Sequence, residues 1–356
     1  MAKITLDHIR HAYGPAPKGP EDYALRELNH DWADGGAFAL LGPSGCGKTS
    51  LLNIISGLVT PSEGRILFDD EDVTNLPTEE RNIAQVFQFP VVYDTMTVAE
   101  NLAFPLKNRG LPRAKVAERV DTIIEMLDLR ALADRKARSL TADLKQKISL
   151  GRGMVREDVA AILFDEPLTV IDPQLKWQLR SQLKTLHREF GHTMVYVTHD
   201  QTEALTFADV VVVMLDGQVI QMGTPEDLFA KPAHTFVGYF IGSPGMNVLP
   251  ATVSGSEAQV AGTAVPLPAG VDAPAGAKIE LGVRPEFVTL GAEGIPFAVE
   301  RVDDVGREVI VHGTVGGTPL AAILGEGAAV PAEPKVTFDQ KAIHVYANDW
   351  RIGGAA

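Results

Sequence analysis

The run Gly42-Pro43-Ser44-Gly45-Cys46-Gly47-Lys48-Thr49-Ser50 contains the spacing G-x-x-x-x-G-K-[ST], whose physical content is a cradle for phosphate. Glycines let successive backbone N–H groups turn inward around phosphate oxygens, and a helix opening at the end of the run presents its positive end. Lys48 would bring a mobile cation to the β and γ phosphates, and the Thr49 hydroxyl would hold Mg2+. Cys46 reads as a packing residue. A second pair of chemical groups, Asp165-Glu166, closes the apolar run Ala160-Ala161-Ile162-Leu163-Phe164. Two acids at the carboxyl end of a buried strand suit phosphoryl transfer: Asp165 as an outer partner of Mg2+, Glu166 to orient and polarise the attacking water. Alone, each feature also fits a bland reading, a Gly-rich turn and a solvent-edge acid pair; together they favour nucleotide hydrolysis. No N-K-x-D guanine reader is present, so ATP is the expected nucleotide.

Strands and helices must hold these groups. FALL precedes the phosphate run and the helical SLLNIISGL follows it, the strand-to-helix context the cradle needs. Further apolar runs at 161–165, 194–200 and 210–215 alternate with helical stretches up to about residue 235, which predicts an α/β domain with a largely parallel sheet covered on both faces. After Gly242-Ser243-Pro244-Gly245 the chain shifts to short pieces rich in Ala, Gly, Pro and Val, such as IELGVRPE and REVIVHGTV. These predict a small antiparallel β domain of barrel type. The boundary is placed near residue 240, giving domains 1–240 and 241–356.

The 356 residues carry 32 basic and 46 acidic side chains, a net charge of −14, with 45% hydrophobic residues. Such a balance supports a globular core and argues against coating nucleic acid or anionic lipid by general electrostatics. The lone Cys46 excludes an internal disulfide framework and a cysteine-rich zinc site. No apolar run approaches the ~18 to 20 residues of a membrane span, and the start MAKITLDHIR lacks a signal-peptide layout, so a cytosolic chain is expected. His8, His11, His30, His187, His192, His234, His312 and His344 have no carboxylates at metal-ligand spacing and read as ordinary residues.

The Lys48-to-Asp165 spacing, Gln88 in Ala84-Gln85-Val86-Phe87-Gln88 and His199 in Val197-Thr198-His199-Asp200 resemble the nucleotide-binding subunit of an ABC transporter over nearly the whole chain. FIGSPGMN at 240–247 and LGVRPE at 281–286 resemble its carbohydrate-importer branch, of the maltose, sn-glycerol-3-phosphate and glycerol kinds. The resemblance implies a P-loop NTPase fold with a helical subdomain at about 90–160, followed by an OB-like regulatory domain of the TOBE/MOP type. It implies that Tyr13 stacks on adenine, with Tyr23 as competitor; that Gln88 approaches Mg2+ and the attacking water; that His199 contacts the γ phosphate; and that Asp172 makes a cross-dimer contact. It further implies two transmembrane permease subunits as partners, received on residues 82–96 with Phe87, Phe89 and Tyr93. A solute-binding protein would act indirectly, and the chain would sit peripherally on the cytoplasmic face of the inner membrane.

One motif departs from the family pattern. The signature loop L-S-G-G-Q, which in the family acts in trans on ATP held by the other subunit, reads Leu140-Thr141-Ala142-Asp143-Leu144 here. Thr141 keeps the hydroxyl, but Ala142 and Asp143 add side chains where backbone should meet phosphate. At ~5 Å and an effective dielectric of ~20, Asp143 would cost ~3 kcal/mol per unit of phosphate charge. A helix terminus returns only ~0.3–1 kcal/mol. The expectation is pairing with a second ATPase subunit that carries a standard signature; a homodimer and a soluble non-transport ATPase stay open as alternatives.

Overall fold

Apolar side chains bury one face of β1 (Ile4–His11) and β2 (Leu25–Trp32), whereas all five residues of β3 (Ala37–Leu41) are buried. The half-buried pattern suits a sheet with one wet face, the fully buried one a strand covered on both. These strands belong to a computed structural model that describes residues 2–14, 17–268, 270–271 and 273–353. Two compact units compose it, Met1–Pro225 and Glu226–Ala356.

In the first unit the chain continues through α1 (Lys48–Ser56), β4 (Glu63–Phe68), β5 (Glu71–Asp72) and β6 (Ala84–Val86). Three helices follow, α2 (Val98–Asn108), α3 (Arg113–Met126) and α4 (Ala142–Met154). The remainder is β7 (Ile162–Asp165), α5 (Pro173–Phe190), β8 (Met194–Thr198), α6 (Gln201–Phe207), β9 (Val210–Leu215) and β10 (Gln218–Gly223). The six-stranded sheet has the order β10-β9-β3-β8-β7-β6. All its pairings are parallel except that of β10 with β9, so the largely parallel sheet expected from the apolar runs is present. Parallel pairing also puts the ends of β3, β6, β7 and β8 on one edge, where ligands bind in open α/β sheets.

A second, antiparallel sheet of order β2-β1-β4-β5 had no counterpart in the sequence reading. Leu6, Leu28 and Ile66 from this sheet, Leu51 and Ile55 from α1, and Leu163 and Val195 from the parallel sheet join one buried cluster. At about 1.5–3 kcal/mol for each large apolar side chain buried, this shared core fixes α1 against both sheets. α2 starts on a reciprocal cap: Glu100 N–H donates to Thr97 Oγ1 at 3.1 Å and Thr97 N–H to Glu100 Oε2 at 2.8 Å.

The second unit begins within α7 (Pro225–Ala230) and continues through α8 (Thr235–Phe240). Its strands run from β11 (Asn247–Ser254), β12 (Glu257–Val260), β13 (Thr263–Pro266) and β14 (Ile279–Val283) to β15 (Val288–Gly291), β16 (Ile295–Pro296), β17 (Ala298–Asp304) and β18 (Glu308–Val315). β19 (Thr318–Gly325), β20 (Lys335–Phe338), β21 (His344–Ala347) and β22 (Trp350–Ile352) complete it. The sheets are β13-β12-β11-β14-β21-β22, β15-β20-β16 and β17-β18-β19, all with antiparallel pairing. They enclose a core of their own that includes Leu249, Leu281, Val311 and Val336. Among the described residues, no helix is long and apolar enough to cross a membrane.

Candidate active site

The loop from Gly42 to Gly47 joins β3 to α1, and its backbone leaves room only for glycine at two places. Gly47 has φ 101°, and a Cβ on it would lie 2.5 Å from the Ala24 carbonyl oxygen; one on Gly42 would lie 2.3 Å from that of Met214. Gly47 caps α1 without a side chain, so the first N–H groups of that helix remain for a ligand. Lys48 is buried, and its Nζ donates to the carbonyls of Gly42 at 2.8 Å and Pro43 at 2.9 Å. The cation is thus folded over the loop it would share with phosphate. Ser44 and Gly45 lie exposed at the loop tip. Cys46 is buried and its thiol is pushed up by that burial, consistent with packing.

Across the loop, Thr49 Oγ1 donates to Asp165 Oδ1 at 3.4 Å. Burial, and then the neighbouring charge of Glu166, hold the Asp165 carboxyl above its ordinary value; the Thr49 hydroxyl and Lys48 pull the other way. A hydroxyl and an under-compensated carboxylate in contact fit a Mg2+ ion, which takes few protein oxygens and keeps the rest for phosphate and water. Glu166 sits at φ 45°, a conformation non-glycine residues rarely adopt, with its N–H donating to Val197 O of β8 at 3.0 Å. Its Oε1 meets His199 Nδ1 at 3.2 Å and its Oε2 accepts from Thr169 Oγ1 at 3.2 Å. His199 follows β8, and its side chain is 54% exposed, open to a ligand.

Tyr13 is 66% exposed and its hydroxyl lies 2.9 Å from Ser50 Oγ in the first turn of α1, while its ring meets His11 edge-on at 4.7 Å. Tyr23 is instead occupied, lying beneath Arg10 at 4.3 Å with its hydroxyl 3.4 Å from Glu63. Gln88 is half-buried in the loop after β6 and makes no side-chain hydrogen bond among the described residues. Asp172 caps α5, accepting from Gln174 N–H at 2.9 Å.

Comparison with known proteins finds relatives over most of the chain. The family described as ABC transporter fits residues 25–169, and the MalK OB fold domain fits residues 242–288. An uncharacterised ABC transporter ATP-binding protein, y4oS of Sinorhizobium fredii, is 41% identical over 340 residues, covering 94% of this chain and 90% of that protein. The chain belongs to the ABC transporter ATP-binding subunits. The sn-glycerol-3-phosphate import ATP-binding protein UgpC of Chromobacterium violaceum is 38% identical over 333 residues, 92% of this chain and 89% of its own. That of Cupriavidus pinatubonensis is 38% identical over 372 residues, 99% of each. Among solved structures, CbiO1 of Clostridium perfringens, part of the ABC transporter complex CbiONQ, aligns with a TM-score of 0.58 at 27% identity. It covers 64% of this chain and 90% of its own. The ATP-binding cassette MJ0796, a dimer in a post-hydrolysis state with ADP and Pi, aligns at 0.54 and 27% identity, covering 62% and 98%. The protein is therefore an ATPase of the ABC class.

The altered ABC signature lies at the start of α4, as the sequence reading expected. Thr141 is the N-cap residue, but its hydroxyl makes no cap bond. Asp143 stands in the first turn, with no side-chain hydrogen bond or ion pair among the described residues. Phe87, Phe89, Val91 and Tyr93, on the segment that resembles a permease-receiving surface, are all exposed.

Three supporting residues escaped the sequence reading. Glu203, 3% exposed, accepts from Tyr196 Oη at 3.0 Å and Thr198 Oγ1 at 2.9 Å, and Lys176 Nζ of α5 lies 3.4 Å away. This cluster pins the strand end just before His199 to the helix that Asp172 caps. Gln146 is fully buried, and its Nε2 donates to Phe87 O at 3.1 Å and Pro167 O at 2.7 Å. One amide therefore ties the backbone beside Gln88 and beside Glu166 to α4. The only sequence signal was an acid four residues after His199, which no local pattern separates from a solvated helix face.

Proposed function

We propose that this chain drives import of a sugar, polyol or glycerol-phosphate type solute by hydrolysing ATP on the site around Lys48, Asp165, Glu166 and His199. Two permease subunits would receive it on residues 82–96 at the cytoplasmic face of the membrane. A domain of residues 1–240 would do the chemistry and residues 241–356 would form the regulatory part. The relatives named for sn-glycerol-3-phosphate import and the MalK OB match support the solute class.

The observation that carries the chemistry is the pairing of Glu166 with His199 at 3.2 Å beside the Thr49–Asp165 contact at 3.4 Å, at the mouth of the glycine loop. Phosphate oxygens would rest on the N–H groups of that loop and of α1, with Lys48 turning from its two carbonyls towards them. Tyr13 would offer its exposed face to the adenine. Thr49 and Asp165, with Gln88 nearby, would hold Mg2+, which when bound offsets phosphate charge. The Glu166 carboxylate would accept a proton from the attacking water, and His199 would donate to the γ phosphate as negative charge develops there.

With the permease partners reconstituted, Glu166→Gln is expected to lower kcat by about 100-fold or more and leave ATP affinity intact. Lys48→Ala is expected to lose ATP binding itself. Near-normal turnover in Glu166→Gln would remove Glu166 from the proposed chemistry.

The bare Asp143 carboxylate at the α4 terminus also supports a pair with a second ATPase subunit. That partner's intact signature would complete the site on this chain's glycine loop, and the opposite site would hydrolyse slowly.

A further inference from the structure

The His199 imidazole is 54% exposed and lies 3.2 Å from Glu166 Oε1, whereas the backbone on either side of it is built into a closed hydrogen-bond circuit. Thr198 Oγ1 accepts from the Asp200 N–H at 3.0 Å and donates to Glu203 Oε2 at 2.9 Å. Asp200 Oδ1 in turn accepts from the N–H groups of Thr202 at 2.7 Å and Glu203 at 3.4 Å. The circuit leaves β8 at Thr198, passes through the first turn of α6 and returns to Thr198, with His199 enclosed between its two ends.

Glu203 closes this circuit from a buried position. It is 3% exposed, and a carboxylate that deep is retained only with donors or a cation against it. Both are present. Tyr196 Oη donates to the same Oε2 at 3.0 Å, and Lys176 Nζ lies 3.4 Å from Oε1. Burial, and then the charge of Glu203, push the Tyr196 hydroxyl up, so it stays a donor. One carboxylate oxygen thus serves β8, and the other faces α5. Thr198 and Tyr196 are themselves buried, which leaves their hydroxyls no solvent to turn to if the carboxylate is removed.

We infer that Glu203 is a positioning residue for ATP hydrolysis, holding the His199 backbone through Thr198 so that the imidazole meets the γ phosphate. The inference rests on the role proposed above for His199. A donor whose contact strengthens as charge develops on the phosphate contributes chiefly in the transition state, so loosening its backbone lowers kcat and spares ATP binding. The two hydroxyls on Oε2 separate this role from plain support of the fold. The Thr198 hydroxyl also holds the residue after His199, and the Tyr196 hydroxyl lies outside the circuit.

With the permease partners reconstituted, Thr198→Val is expected to lower kcat by about tenfold or more and to leave the KM for ATP within about twofold of the parent. Tyr196→Phe is expected to keep kcat within about twofold. Glu203→Ala should follow Thr198→Val. Glu203→Gln, whose amide oxygen can accept from both hydroxyls, should recover kcat to within about threefold of the parent. In the isolated full-length chain with isotopically labelled histidines, the ring signal that His199→Ala deletes should shift in Thr198→Val and stay in place in Tyr196→Phe. Parent-like kcat in folded Thr198→Val, an equal loss in Tyr196→Phe, or an unmoved His199 signal would overturn the inference. Parent-like Thr198→Val beside an inactive His199→Ala overturns it alone; a fully active His199→Ala removes the role proposed for His199 and this inference with it.

Discussion

Asp165 and Glu166 are adjacent acids with different surroundings, and the difference fits the different work proposed for them. Glu166 has a hydroxyl and an imidazole against its oxygens; Asp165 is held above its ordinary value by burial and by Glu166. A carboxyl whose folded value is raised binds protons more tightly in the native state, so its ionisation costs stability; the cost is absent below the unfolded value of 3.8 and grows as pH rises through the raised one. Asp165→Asn is therefore expected to melt at the same or a higher temperature at pH 7 without nucleotide, with the difference vanishing towards pH 4. Mg2+-dependent hydrolysis should meanwhile fall by about 100-fold or more. Calorimetry at the two pH values decides the first half, and a clear drop in melting temperature at pH 7 would make Asp165 a structural residue.

At the scale of elements, the loops that carry the chemistry are held from behind by buried polar side chains. Gln146 of α4 serves two carbonyls, Phe87 O and Pro167 O, and the bond to Pro167 O is buried, away from water that could replace a lost donor. Gln146→Ala is expected to destabilise the first unit by about 1–3 kcal/mol, read as a lower urea midpoint with unchanged slope. An effect below about 0.5 kcal/mol would mean the two loops hold themselves. This layer was closed to sequence analysis. The glycine run, Asp165-Glu166 and His199 are legible because each is a contiguous pattern on one strand end, whereas Gln146, Lys176 and Glu203 acquire roles only through partners 20 or more residues away or through complete burial. The antiparallel sheet of β1, β2, β4 and β5 was missed for a related reason. Its strands are half-buried and charged on the wet face, so ITLDHIRH and EGRILF show little of the apolar run that announced the parallel strands.

At the scale of the molecule, the altered signature bears on the proposed pairing with a second ATPase subunit. Asp143 adds a carboxylate without a side-chain partner among the described residues to the first turn of α4, in the loop that in the family faces another subunit's ATP. Purified Glu166→Gln with ATP is expected to stay monomeric in light scattering, and to dimerise once Ala142 and Asp143 are both replaced by glycine. An ATP-dependent homodimer of Glu166→Gln alone would overturn the proposed pairing. The sequence by itself determined the nucleotide chemistry, the α/β class and the all-β tail. Phosphate cradles depend on local glycine conformation and on a strand-to-helix junction, and buried parallel strands need continuous apolar runs. Tertiary structure alone decided which tyrosine is exposed beside the glycine loop, which polar groups brace the loops at the strand ends, and that Lys231, Lys341, His344 and Arg351 share one cavity. Those are matters of distance between segments up to 120 residues apart in the chain, and desolvation and charge act through space rather than along sequence.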